Sequence, residues 1–331
     1  MKKLFIGFSV LILIFLLSAC GSTSPSSSEP ATETTNQTAT KEETVNQEES
    51  TPKTRTISTP KGDIEIPVEP KRVVGLSIVY PEFLYALGIT PVAVQNYHDE
   101  FPAYLKEPFK DTLKMGIDRT PNFEAILSAK PDLIIAPAWW SEKDYDQLSK
   151  IAPTVLLPER ELWTDELKDI AQVLNLEDKA EEVIKEYNDK AAEIKNKLDQ
   201  KLGNETVMYM MIMPKELIVY GKTQSRGIVI HQELGLEPVA AFPESEVSVS
   251  LSMETLPEYN PDHIILQLDD ANNEEIQQTY KELQESPLWK NLTAVKNGNV
   301  YMVGGIEWFN VGMSPLANHY AIEELLQKIE K

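Results

Sequence analysis

One cysteine, four histidines and five arginines are all that 331 residues hold of the side chains that serve disulfides, metal ligation and bidentate anion binding. A lone thiol, Cys20, excludes an internal disulfide framework. His98, His231, His263 and His319 stand apart without HxxxH or HExxH spacing, which argues against a metal site built from protein ligands. There is no GxSxG and no phosphate loop, so no nucleophile or nucleotide site presents itself. Lys and Arg total 31 against 52 Asp and Glu, and the formal net charge of −21 speaks against nucleic acid as a partner. Any anionic ligand must then be met by a few placed cations. Arg55 and Arg72 precede or open the folded region, which leaves Arg119, Arg160 and Arg226 to follow. Arg160 sits in a Glu-flanked loop and reads as a solvated charge.

What is present begins with an export signal over 1–20. Lys2 and Lys3 precede an apolar run from Leu4 to Leu17, too short for a comfortable span, and Leu17-Ser18-Ala19-Cys20 supplies the small-residue cleavage site. Cys20 at that point reads as a lipid (palmitate) anchor, not a nucleophile. Residues 21–56 are Ser, Thr, Glu, Gln, Asn and Pro with Val45 as their only large aliphatic side chain. Such a stretch buries too little apolar surface to offset chain entropy, and it is expected to be a disordered tether.

The remaining stretch of about 275 residues exceeds one comfortable core and predicts two lobes. Short β-rich runs at Val73–Ser77, Pro91–Gln95, Leu133–Ala136 and Thr154–Leu157 alternate with helical segments at Tyr80–Leu87, Phe123–Ala129 and Glu142–Lys150. The rhythm returns with strand candidates Thr206–Met211, Pro238–Ala240, His263–Gln267 and Val300–Val303, as expected of α/β units with parallel sheets. Two segments repeat. Leu87-Gly88-Ile89-Thr90-Pro91-Val92 answers Leu234-Gly235-Leu236-Glu237-Pro238-Val239. Glu124 lies seven residues before Pro131-Asp132, and Glu254 seven before Pro261-Asp262, which together suggest a duplicated lobe. Between the halves, Glu177–Leu202 has no Gly or Pro, and Ala180, Val183, Ile184, Tyr187, Ala191, Ile194 and Leu198 recur at helical spacing. A helix there would be about 35–40 Å long and would permit only modest hinge motion. The expected organisation is an N-terminal lobe over 57–165, a helical connector over 166–202 and a C-terminal lobe over 203–331.

The chain resembles the class III, helix-linked periplasmic binding proteins, specifically the ferric-siderophore-binding lipoproteins of ABC importers in Gram-positive bacteria. The resemblance covers residues from about 57 to the end. It rests on Pro70-Lys71-Arg72-Val73-Val74, Asn122-Phe123-Glu124-Ala125-Ile126, Lys130-Pro131-Asp132-Leu133-Ile134-Ile135, Tyr220-Gly221-Lys222 with Ser225-Arg226-Gly227, Ser252-Met253-Glu254-Thr255-Leu256 and Ala294-Val295-Lys296-Asn297-Gly298. It implies two Rossmann-like lobes clamping a ligand, no catalysis and no cofactor, iron being held by its own chelator. It also implies a monomer on the outer face of the cytoplasmic membrane that delivers its load to a permease dimer.

Asn122 and Ser252 look like N-caps, which places Glu124 and Glu254 in first helical turns at corresponding corners of the lobes. In the resembled family, glutamates at these positions dock on permease arginines; the plainer reading is favourable interaction with a helix dipole. Arg119 and Arg226 are candidates to meet an anionic chelate from opposite lobes. Trp139, Trp140, Tyr80, Tyr97 and Trp308 follow strand candidates and suit a large, partly apolar cavity, with one of the paired tryptophans facing inward. Met211, Met213 and Gln267 are weaker wall candidates. Few arginines and many aromatics point to a hydroxamate or citrate-hydroxamate chelate before a tris-catecholate. Haem or cobalamin in the same fold is the alternative, with Tyr80 and Tyr97 as possible haem ligands. An extracellular enzyme finds no catalytic constellation.

Overall fold

The computed structural model describes residues 53–118 and 120–331. The signal, the lipid-anchor Cys20 and the tether up to residue 52 lie outside the described residues, as does Arg119. Among the described residues no helix is long and apolar enough to cross a membrane.

The described chain opens on a hairpin that the sequence did not suggest, β1 (Thr54–Thr59) and β2 (Gly62–Pro67), starting inside the last residues assigned to the tether. Ile57 and Ile64 pair across it and pack on the core. Arg55 donates from Nη2 to the carbonyls of Gln172 and Val173 at 2.9 and 2.6 Å, satisfying the end of the helix Trp163–Leu174.

The first sheet follows. Its strands are β3 (Val73–Gly75), β4 (Ala93–Val94), β5 (Leu113–Lys114), β6 (Leu133–Pro137) and β7 (Thr154–Leu157), ordered β5-β4-β3-β6-β7 and all parallel. The order reverses between β3 and β6, the doubly wound arrangement. In the second half run β8 (Thr206–Met213), β9 (Glu216–Tyr220), β10 (Glu237–Pro238), β11 (Ser248–Leu251), β12 (His263–Leu268) and β13 (Val300–Val303). β10, β8, β12 and β13 form a parallel set like the first sheet. β9 and β11 add an antiparallel edge that the sequence reading had not placed. The expected helix over Glu142–Lys150 is broken into a 3₁₀ turn, Glu142–Asp144, and the short helix Tyr145–Leu148.

Both sheets obey the two-residue alternation of strands buried on both faces. Val73, Leu133 and Ile135 from the first, with Val207, Tyr209 and Ile265 from the second, enter one shared core. Val74, Ile134 and Ala136 face a second core on the outer side of the first lobe, and Met208, Met210, Ile264 and Leu266 face the matching core of the second. The shared core is completed by the linking helix, Glu177–Leu202, and the C-terminal helix, Pro315–Glu330. The linking helix has 26 residues, about 39 Å of rise, and buries Ala180, Tyr187, Ala191, Ile194, Leu198 and Leu202 along one stripe. The fold is therefore two α/β lobes on one long helix.

The internal repeat reappears in backbone detail. Gly88 and Gly235 both take positive φ, +86° and +68°. Lys130 and Asn260, each just before a proline, do likewise at +47° and +28°. The aspartates that follow fasten the first strand of each sheet: Asp132 accepts the Lys71 and Arg72 amides at 2.7 and 2.9 Å. Asp262 accepts the Thr206 amide and hydroxyl at 2.9 and 2.8 Å, and these donors hold its carboxyl below the usual range. Removing either carboxylate strands two donors at the start of a central strand. Asp132→Ala and Asp262→Ala should each lower unfolding free energy by about 1–3 kcal/mol, read from urea denaturation, with similar losses at the two sites.

Candidate functional site

A cleft of about 680 Å³ opens between the lobes at the C-terminal ends of the strands, where α/β sheets bind their ligands. From the first lobe it takes Ser77 and Val79 after β3, Pro137 and Trp139 at the end of β6, and the segment Glu159–Trp163 after β7, with Glu166 one turn on. From the second it takes Thr223, Gln224 and Ser225 after β9, then Ile228, Gly312 and Met313. Close backbone approach sets this second wall. A Cβ on Gly227 would fall 1.6 Å from the Gly221 carbonyl oxygen, and one on Gly312 would fall 2.1 Å from the carbonyl carbon of Ser225.

Trp139 is 65 % exposed on this wall, while Trp140 is half-buried with its ring set edgewise against it at 5.4 Å. Tyr97, half exposed, does not reach the cleft. It stacks on Phe309 of the second lobe at 4.8 Å over a smaller interlobe hollow. Three expected wall residues are interior instead. Tyr80 and Trp308 belong to the shared core, and the Trp308 indole donates to Glu324 at 2.7 Å. Gln267, fully buried, donates to the Gly305 carbonyl at 3.0 Å and accepts the Tyr209 hydroxyl. Position at a strand exit brought these residues near the cleft, but the direction of the side chain turned them into the protein. Met211 is buried in β8, Met213 ends that strand half-buried, and neither lines the cleft. With Tyr80 enclosed, only Tyr97 of the two tyrosines keeps an accessible hydroxyl face for a haem iron.

Arg226 lies just behind the wall, 8 % exposed. Its guanidinium rests over the Tyr220 ring at 5.1 Å and donates from Nη2 to the Phe309 carbonyl at 2.5 Å. The Asp269 carboxyl, raised by burial, is partly restored by His98 and Arg226. Arg226 thus ties the loop that carries Phe309 to the Tyr220 strand.

The residues that sequence reasoning passed over are the charges of the first-lobe wall. Arg160 lines the cleft, but its Nε and Nη2 are both given to Asp169, at 2.6 and 3.2 Å. Glu159 and Glu161 are exposed beside it. Glu166 is half-buried, and burial, helped by the neighbouring Asp169 and Glu159 charges, pushes its pKa up to about 7. The only available signal was their density, Glu159-Arg160-Glu161 followed by Asp165-Glu166, which reads equally well as solvated surface. Among the described residues no three His, Cys, Asp or Glu side chains converge to hold a metal ion.

Glu124 and Glu254 are both exposed, with no salt bridge to either among the described residues. Asn122 caps Phe123–Ser128 by accepting the Ala125 amide at 3.0 Å, so Glu124 occupies a first helical turn. Ser252 accepts the Thr255 amide at 3.4 Å, but Glu254 lies in a turn that precedes the short helix Leu256–Tyr259, one step earlier than expected.

Two lobes on a stiff connector, with a ligand-sized opening between strand ends, are the architecture of a substrate-binding protein. The family of periplasmic binding proteins matches residues 73–305, and the chain belongs to it. It is similar to the probable siderophore-binding lipoprotein YfiY of Bacillus subtilis, 34 % identical over 324 residues and 94 % of both chains. The iron(3+)-hydroxamate-binding protein FhuD of the same organism is 30 % identical over 320 residues, 93 % of this chain and 92 % of that one. The crystal structure of Staphylococcus aureus SirA complexed with staphyloferrin B superposes with a TM-score of 0.68 at 30 % identity, covering 83 % of this chain and 98 % of that chain.

In the folded protein Glu166 binds its proton more tightly than in the unfolded chain, where the ordinary value is 4.5. Its contribution is therefore most favourable below that value and is lost as pH rises through about 7. Glu166→Gln should melt close to the parent at pH 4.5 and above it at pH 8, followed by circular dichroism.

Proposed function

We propose that this chain is a lipid-anchored extracytoplasmic receptor that binds a ferric siderophore and delivers it to an ABC permease. The observation that carries the reading is the interlobe cleft, whose volume of about 680 Å³ suits a compact chelate. Similarity over almost the whole chain to proteins named for siderophore and iron–hydroxamate binding supports it. Cys20, at the end of the export signal, is the proposed anchor, and a relative named as a lipoprotein agrees with that.

The chelate is a hydroxamate or citrate-hydroxamate. Three hydroxamates neutralise a ferric ion, whereas three catecholates leave the complex strongly anionic. A wall with three carboxylates and one arginine already bound to Asp169 repels the second far more than the first. Trp139 supplies the apolar contact and a built-in reporter. Ferric hydroxamates should quench its fluorescence at lower concentration than ferric tris-catecholates. Trp139→Ala should weaken hydroxamate binding by about tenfold, the equivalent of 1.4 kcal/mol for one aromatic contact, without loss of thermal stability. Equal affinity for the tris-catecholate would overturn the assignment of chelate type.

Glu124 and Glu254 are the permease contacts in this reading. Their equivalent places in the repeat, their exposure and their lack of ion-pair partners suit a two-fold receptor surface rich in arginine. The double variant Glu124→Ala with Glu254→Ala should keep full ligand affinity by fluorescence titration and lose cellular uptake of the labelled chelate. Normal uptake by that variant would refute the docking role.

A further inference from the structure

We propose that the rings of Tyr97, His98 and Phe309 form a clasp between the lobes that sets the width of the ligand cleft and thereby the size of chelate the chain accepts. This deepens the siderophore reading and rests on it. Tyr97 and His98 follow β4 in the first lobe, and Phe309 lies in the loop after β13 in the second. The Tyr97 and Phe309 rings are within 17° of parallel, and the His98 ring stands edge-on to both, 5.0 Å from Tyr97 and 4.9 Å from Phe309. Stacked and edge-to-face contacts are the favoured geometries of aromatic pairs, so the cluster holds one separation of the lobes in preference to its neighbours. Each side is braced. Asn96 donates to the His98 carbonyl at 2.9 Å and accepts the Gly116 amide at 2.9 Å, which ties the loop after β4 to the one after β5. Arg226 holds the Phe309 carbonyl from behind.

The hollow that the rings border measures about 40 Å³, too small for a chelate, so their role is not that of a second ligand wall. Their effect reaches the cleft because the same two segments wall both spaces. Ile78 borders the hollow while Ser77 and Val79 border the cleft, and Phe309 and Asn310 border the hollow while Gly312 and Met313 border the cleft. The Asn310 side chain crosses between the segments, donating to the Ile78 carbonyl at 3.2 Å. Its own carbonyl accepts the Met313 and Ser314 amides at 2.9 and 3.1 Å. Residues 309–313 therefore move as one hydrogen-bonded turn, and a parting of Phe309 from Tyr97 widens the gap between Val79 and Met313. A clasp made within the fold settles that gap before a ligand arrives. A compact chelate meets walls already in place, whereas an oversized one must break the ring contacts to enter.

The test titrates the whole exported chain by tryptophan fluorescence with a cyclic ferric trihydroxamate and with the same chelate enlarged by a bulky acyl group on each arm. The parent should bind the compact chelate about tenfold more tightly. Phe309→Ala should narrow that preference to within about threefold, while Phe309→Tyr, which keeps the ring, should retain it. Tyr97→Ala, at a half-exposed position of the opposite lobe, should give the same narrowing and leaves the Arg226 contact untouched. Equal binding of the two chelates by the parent overturns the proposal and leaves the siderophore reading standing. So does a preference unchanged in Tyr97→Ala, even where both affinities fall together, since that is the mark of a merely structural contact. Binding of neither chelate by the parent overturns both.

Discussion

Glu82 is buried to 2 % exposure in the first helix of the N-terminal lobe, Tyr80–Ala86, yet most of its partners come from the far end of the chain. Asn310 donates to it at 2.6 Å, the Ala317 amide at 3.2 Å and Ser314 at closer range, while Tyr104 of its own lobe donates at 3.3 Å. Burial pushes the carboxyl pKa up, and these donors pull it back. A carboxylate is tolerated there because the C-terminal segment satisfies it, and the segment is seated because the carboxylate is there. Ser314 at the same time caps the C-terminal helix, accepting the Ala317 amide at 3.1 Å.

With that contact the second lobe is attached to the first twice, once through the linking helix and once through the returning C-terminal helix. The shared core that results fixes how the strand ends face each other, and the cleft is the space left over. Its walls are consequently precise where backbone meets backbone, as at Gly227 and Gly312, and adjustable where long side chains project, as at Glu159, Arg160 and Glu161. The Tyr97–Phe309 stack, held from behind by Arg226, is a further crossing point between lobes.

Most of this frame was legible in the sequence because it follows from periodicity. Strands buried on both faces read as apolar runs, and the linking helix announced itself by its stripe and by the lack of Gly and Pro. The repeated Pro-Asp steps marked matching central strands of two like sheets, for a reason that is physical: each aspartate caps the start of the strand beside it. β11 escaped notice because Ser248–Leu251 alternates polar and apolar residues at a sheet edge, whereas β9, Glu216–Tyr220, is a short apolar run that was passed over directly after the longer one of β8. The site was harder. Distance along the chain from a strand end says which residues come near the opening, but not which way a ring points, so Tyr80 and Trp308 were placed with Trp139 although they turn inward. Acidic wall residues gave no warning at all, since nothing in a run of glutamates distinguishes a lined cavity from open solvent.

Much of the surface that meets the ligand is carried on three short connections, 159–162, 223–225 and 312–313, none of which supplies the shared core. At the projecting side chains of 159–161 and 223–224, recognition and foldedness are thereby largely uncoupled. Substitutions that redraw chemical preference have little purchase on the scaffold, so a duplicated copy of such a chain is free to drift toward a different cargo while it keeps its shape.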